Sequence, residues 1–140
     1  MYALKTLVAP LKKETLAHLE MQSVVLSTRL GKSITSHWKL KFEKVVHVLD
    51  SKCTLATLHK DTVVLNEFMG NRVSETLRST EVEEWYHIES KKNISDLGTR
   101  TNAGVSDVAE ESDWQRGPPW MRLPVKMACF SRYQRTCNAN

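Results

Sequence analysis

Three acidic residues lie where an α/β sheet could use them for chemistry: Glu20, Asp50 and Asp96. Asp50 follows a β-branched run that predicts a buried strand, and Asp96 lies just inside a helix predicted to follow another strand. Glu20 falls on an apolar helix, where an unpaired carboxylate is costly and needs a cation or a hydrogen-bond donor. Three carboxylates that converge at strand ends would form a hard-oxygen site suited to Mg²⁺ or Mn²⁺.

The same residues also have ordinary structural explanations. Glu20 can extend toward solvent from the helix edge, Asp50 can cap a helix, and Asp96 can be a first-turn charge. On spacing alone, this structural interpretation is favoured over a metal site.

The elements that must position these residues alternate between strand and helix. Strands are predicted over residues 2–8, 45–49 and 84–88. Helices are predicted over residues 14–30 (mostly buried and stopped by Gly31), 52–59, 65–77 and from Ile94 onward, with Asn93 as its cap. This order predicts an α/β fold with a parallel central pair of strands and right-handed crossovers. A brief helix is expected between Gly104 and Ser112, and the run Gly117-Pro118-Pro119 is expected to prevent regular structure.

Composition bounds the class of protein. The 140 residues suit one domain, and 41% apolar and 26% charged residues with five Gly and four Pro argue against disordered, collagen-like and coiled-coil chains. No apolar run approaches the length of a membrane span or a signal peptide, and three scattered cysteines do not make a disulfide framework. We therefore expect a soluble, intracellular protein with no membrane partner.

The positive charge is concentrated at one end. Residues 116–140 contain five basic residues and no acid, although the whole chain is only +4. Contact with nucleic acid is one explanation of this charge, and a solvated, disordered tail over residues 124–140 is the favoured one.

Six local motifs are informative only when they are considered together and in their order along the chain. They are Leu7 to Lys13, Leu19-Glu20-Met21-Gln22, Leu49-Asp50-Ser51, Gly70-Asn71-Arg72-Val73, Trp85 to Asp96 and Trp114 to Trp120. Each motif is weak alone, but together they resemble the ribonuclease H-like region of a Bel/Pao-type retrotransposon polyprotein. The resemblance covers about residues 3–123, with a partial ribonuclease H-like domain at 1–103 and a family-like C-terminal extension at 104–123.

The resemblance implies a function. Such a domain follows the reverse transcriptase portion of the same polyprotein and cuts the RNA strand of an RNA–DNA hybrid with Mg²⁺ or Mn²⁺ ions. Glu20, Asp50 and Asp96 would be the catalytic metal ligands, and His87 and Asn93 would lie beside them. The implied location is the cytoplasm or a virus-like particle.

The chain also departs from the family pattern. No aspartate precedes Asp50, so the ligand that the family places on its first strand is missing. Residues 2–8 match the family's third strand, which leaves the domain without its first two strands. We therefore expect an incomplete ribonuclease H-like domain that is inactive alone. Two alternatives stay open: a non-catalytic nucleic-acid-binding remnant, and a non-functional open reading frame derived from a retroelement.

Overall fold

The computed structural model describes residues 13–38, 41–98, 104–124 and 130–132, so the strand predicted at residues 2–8 lies outside it. The helices are α1 (Leu16–His37), α2 (Lys52–Leu58), α3 (Glu67–Leu77) and α4 (Asp113–Arg116), and the strands are β1 (His47–Leu49), β2 (Trp85–Ile88) and β3 (Phe130–Ser131). Short 3₁₀ helices occupy Thr62–Val64, Val82–Glu84, Ser90–Lys92, Ile94–Gly98, Val105–Val108 and Pro119–Arg122. The described chain is a mixed α/β structure. None of its helices is both long and apolar enough to cross a membrane.

The strands form one small sheet in the order β1-β2-β3. β1 and β2 are parallel, with His47 opposite Trp85 and Leu49 opposite His87. A parallel pair needs a long crossover, and α2 and α3 supply it here. The predicted parallel pair is therefore confirmed, and Asp50 lies just past the end of β1 as expected.

Helix α1 is longer than its sequence pattern predicted. It begins after Thr15, whose hydroxyl accepts a hydrogen bond from the His18 amide, and it runs through Gly31 to His37. The predicted stop at Gly31 is wrong because half-buried Ile34 continues the inward-facing stripe beyond the glycine. Helix α1 is also less buried than predicted, since the side chain of its first residue, Leu16, is 71% exposed.

The core lies between the sheet and the helices α1, α2 and α3. Its buried members are Met21, Val24, Leu55, Leu58, Val73 and Trp85. The Trp85 indole N–H donates to the Thr80 hydroxyl at 3.0 Å, so this large ring is buried with its polar atom satisfied. This packing fixes α1, and with it Glu20, against the start of α2.

One expectation for the C-terminal part is corrected. Pro119 begins the 3₁₀ helix Pro119–Arg122, which a proline can do because the first turn of a helix does not need its N–H. The run Gly117-Pro118-Pro119 therefore does not prevent regular structure. Most of the tail predicted as disordered, residues 124–140, lies outside the described residues; within it, Phe130–Ser131 pairs antiparallel with β2, with Phe130 opposite Ile88.

Candidate functional site

The Glu20 carboxylate is half-buried and turned toward the start of α2. Its Oε2 accepts a hydrogen bond from Ser51 Oγ at 2.6 Å and another from Thr54 Oγ1 at 2.7 Å. The sequence required a partner for a carboxylate on this helix, and the structure provides two hydroxyl donors. These contacts tie α1 to the carboxyl end of β1.

Ser51 has a second role as the N-cap of α2. Its Oγ accepts a hydrogen bond from the Thr54 amide at 3.2 Å while its own proton goes to Glu20. The Thr54 hydroxyl lies 3.0 Å from Ser51 Oγ, but it has one proton, and the shorter contact to the carboxylate takes it. The suggestion that Asp50 caps this helix is therefore wrong, because Ser51 is the cap.

Asp50 is connected to the third acidic residue through Asn93. Asp50 Oδ2 accepts from Asn93 Nδ2 at 3.2 Å, and Asn93 Oδ1 accepts from the Ser95 amide at 3.2 Å. The Asn93 carbonyl also accepts from the Asp96 amide at 3.2 Å, so Asp96 follows within one turn, in the 3₁₀ helix Ile94–Gly98. Asn93 thus contacts Asp50, and Asp96 occupies the first turn of a short 3₁₀ helix, as its structural explanation predicted.

His87 lies on β2 opposite both Leu49 and Ser131. Its side chain is half-buried, and its ring makes no hydrogen bond with any residue in the described ranges. This placement puts His87 on the strand next to Asp50 without giving it a direct contact with the three acidic residues.

The donor atoms are of the kind that Mg²⁺ and Mn²⁺ prefer, since they are carboxylate oxygens. Glu20 Oε1 and Asp50 Oδ1 accept no hydrogen bond from the described residues, which leaves one oxygen of each group for a further partner. In the part of the chain that is described, however, no three His, Cys, Asp or Glu side chains come close enough to hold a metal ion. Glu20 and Asp50 are each held by hydrogen bonds to neighbouring polar side chains, and the three acids do not form a ligand set.

Two basic side chains contact the hydroxyl of Tyr86 on β2. Lys44 Nζ and Arg132 Nη2 each lie 3.3 Å from this oxygen. The hydrogen bond from Arg132 and, secondarily, that from Lys44 lower the pKa of Tyr86 below its ordinary value, because both cations favour the phenolate. Neither cation forms an ion pair within the described residues, so the surface around the Tyr86 hydroxyl carries positive charge.

Two residues of the site were missed by sequence reasoning: Ser51 and Thr54. The available signal was a hydroxyl at the start of a predicted helix followed by another three residues later, a spacing typical of an N-cap and its first turn. That signal indicates a cap, and only the tertiary position of α1 turns the two hydroxyls toward Glu20.

Comparison with family models, curated proteins and solved structures finds no match for this chain.

Proposed function

We propose that the chain is a segment of a retrotransposon polyprotein carrying an incomplete ribonuclease H-like module. The parent activity is cleavage of the RNA strand of an RNA–DNA hybrid with Mg²⁺ or Mn²⁺. The observation that supports this proposal best is the contact between Glu20 and Ser51. It holds a helix carboxylate next to Asp50, at the carboxyl end of a parallel strand pair, where open α/β folds carry their sites.

In this proposal each residue has a distinct part. Glu20, Asp50 and Asp96 would hold the divalent ions in the complete domain, since in the described part of this chain they are not close enough together to do so. The bound ions would supply activation of the attacking water and stabilisation of the leaving oxygen. Ser51 and Thr54 fix the rotamer of Glu20, and their hydrogen bonds leave Oε1 available. In the same way, the hydrogen bond from Asn93 orients the Asp50 carboxylate.

The missing first-strand aspartate limits the activity of the chain. A two-ion site depends on correct ion spacing, and a shift of about 1 Å in a catalytic group can cost roughly 100-fold in rate. We therefore expect these 140 residues alone to be inactive, with activity depending on a further aspartate supplied by another segment. In the parent polyprotein, the reverse transcriptase portion would precede it and the hybrid would be its substrate.

Metal binding is tested by chemical denaturation with and without about 10 mM Mg²⁺, which adds on the order of 1 kcal/mol to the free energy of unfolding for a ligand present several-fold above Kd. We expect Asp50→Asn to reduce this gain. The matched control is Asp113→Asn, which alters an exposed acid in α4 and should keep the gain. Equal responses of all three proteins to Mg²⁺ would contradict the assignment of Asp50 as a ligand.

Activity is tested with a labelled RNA–DNA hybrid. The chain alone should not cleave it. Addition of a peptide that carries two strands with an aspartate should restore some Mg²⁺-dependent cleavage, and Glu20→Gln should abolish what is restored. Strong cleavage by the chain alone would contradict the claim of inactivity. Restored cleavage that survives Glu20→Gln would contradict the site.

A second candidate, a non-catalytic nucleic-acid-binding remnant, is favoured by the two cations at Tyr86. It predicts hybrid binding that falls steeply with salt and does not depend on Mg²⁺. The double substitution Lys44→Gln/Arg132→Gln should then weaken binding and lower the salt slope. Binding that requires Mg²⁺, or that is unchanged in this variant, would exclude this candidate.

A further inference from the structure

A polar cavity of about 320 Å³ lies at the end of the sheet opposite the acidic residues. It is bounded by the second half of α1, the amino end of β1 and the turn that follows α3. Its walls carry hydroxyl, charged and imidazole groups, contributed by Thr28, Lys32, His47, Arg78, Thr80 and Glu84. Its volume is at the lower end of those that hold small ligands.

His47 is a buried residue in the cavity wall, and its imidazole is open to the cavity. Its side chain is only 8% exposed, and one face of the ring stacks on Trp85 with centroids 4.4 Å apart. Neither ring nitrogen makes a hydrogen bond with a described residue. His47 Cε1 would lie 3.5 Å from a Cβ placed at Gly31, which also lines the cavity. Among the described residues, Thr76 Oγ1 is the only fully buried side-chain polar atom without a partner, so the His47 nitrogens are not fully enclosed and can bond to a ligand in the cavity.

The charges of the lining favour an anion. Lys32 and Arg78 are exposed at the rim and form no ion pair within the described ranges. Glu84 is the acid in the lining, and its Oε2 already accepts a hydrogen bond from the Glu81 amide at 3.0 Å. Two cations against one acid give the cavity a net positive charge, which disfavours a metal cation. The hydroxyls of Thr28 and Thr80 and the two cations disfavour an apolar ligand.

We propose that this cavity binds a phosphate group, carried as a monoester, with Lys32 and Arg78 supplying charge and His47 a hydrogen bond. An arginine fork and a lysine ammonium match the oxygens of a phosphate. The cavity is larger than a bare phosphate and leaves room for the organic part of an ester. The proposal rests on residues other than the acids discussed above and does not depend on the proposed nuclease function.

The affinity is measured by calorimetric titration of the whole chain with inorganic phosphate, in a phosphate-free buffer at constant ionic strength. We expect saturable binding in the millimolar range. The double substitution Lys32→Gln/Arg78→Gln should weaken it at least about tenfold, because it removes two charge-assisted hydrogen bonds. The control Lys60→Gln/Lys91→Gln removes the same charge elsewhere and should leave the affinity unchanged.

Several results would overturn the proposal: no saturable binding, equal binding by the cavity variant, or equal weakening by the control. A second measurement needs no substitution. The imidazole nitrogen resonances of His47 should shift on addition of phosphate while those of exposed His37 do not, and resonances of His47 that stay unchanged at saturation would remove it from the site.

Three further titrations distinguish the sources of the phosphate. Adenosine monophosphate that binds more tightly than inorganic phosphate would assign the cavity to a free nucleotide. A short oligonucleotide that binds only with a 5′-phosphate would assign it to a nucleic-acid end. Equal affinities for all phosphorylated probes would assign it to the phosphate alone, and tighter binding of the unphosphorylated oligonucleotide would contradict the proposal.

Discussion

The two ends of strand β1 bury a polar side chain in different ways. At the carboxyl end, the Glu20 carboxylate receives two hydroxyl hydrogen bonds, from Ser51 and Thr54. At the amino end, the His47 imidazole stacks on Trp85 and makes no hydrogen bond within the described residues. The first arrangement is directional and polar, whereas the second depends on packing.

This difference has an electrostatic consequence. The donors at Glu20 carry no charge, and no described cation pairs with Glu20 or Asp50. The negative charge at that end of the strand is therefore not neutralised by an ion pair among the described residues. At the other end, burial lowers the pKa of His47 below its ordinary value of 6.5, and the nearby Glu84 only partly opposes the shift. One strand of three residues therefore separates an end with two acidic side chains from an end at which burial disfavours the charged form of an imidazole.

The packing at the amino end should be the larger contribution to stability. Trp85→Ala removes a ring that is 2% exposed, and we expect it to lower the free energy of unfolding by about 3–5 kcal/mol through the cavity it leaves. Urea denaturation measures the loss. Trp38→Ala, at a side chain 36% exposed, is the control and should cost clearly less. Equal losses would show that the Trp85 packing is not special.

The hydrogen bonds at the carboxyl end should come second. Thr54→Val keeps the shape but removes a donor to the carboxylate, and we expect a loss of about 1.5–3 kcal/mol because the acceptor is charged. Thr57→Val is the matched control on the same helix, since that hydroxyl donates only to the Cys53 carbonyl, and it should change stability by less than about 0.5 kcal/mol. If Glu20→Gln leaves the cost of Thr54→Val unchanged, the two residues are not coupled.

The pH dependence should belong to the amino end. Because the pKa of His47 is lowered in the folded state, the unfolded chain binds more protons just below pH 6.5, and stability falls as the pH drops through this window. The slope from one group is at most about 1.4 kcal/mol per pH unit. Denaturation at pH 7.5 and 5.5 should show this loss, His47→Gln should flatten it, and His37→Gln should not. A slope that survives His47→Gln would assign it to other groups.

The smallest expected effect is a gain. Gly31 lies inside α1, and a methyl group there would meet His47 Cε1 at 3.5 Å, which is ordinary contact. Gly31→Ala should therefore stabilise the chain by about 0.5–1 kcal/mol through helix propensity. Thermal unfolding measures the change. A destabilised variant would mean that the space beside His47 is needed for something other than packing.

Sequence patterns predicted those elements whose signal is local. The run at residues 45–49 predicted a strand, which begins only at His47, because its partner β2 is preceded by the 3₁₀ helix Val82–Glu84 and offers no extended chain before Trp85. The predicted end of α1 at Gly31 was wrong because a local signal was overridden: tertiary burial of Ile34 outweighed the local cost of a glycine in a helix. β3 could not be predicted, because two residues of strand depend entirely on distant pairing with β2.

The candidate site divides in the same way. Glu20 could be selected from the sequence because a carboxylate on an apolar helix is conspicuous. Asn93 was predicted as a cap from its local pattern, and its place near the site came from the family resemblance, because its contact with Asp50 joins residues 43 positions apart. Ser51 and Thr54 were missed as partners of Glu20 because their contact joins residues 31 and 34 positions apart.

The paired hydroxyls at Glu20 also constrain natural variation. Threonine at position 51 and serine at position 54 would each preserve a donor, so these exchanges should occur freely among relatives of this domain. Loss of either hydroxyl should coincide with a neutral residue at position 20, because a half-buried carboxylate tolerates few missing donors. Positions 20, 51 and 54 should therefore change together, as a single inherited unit distributed over two helices.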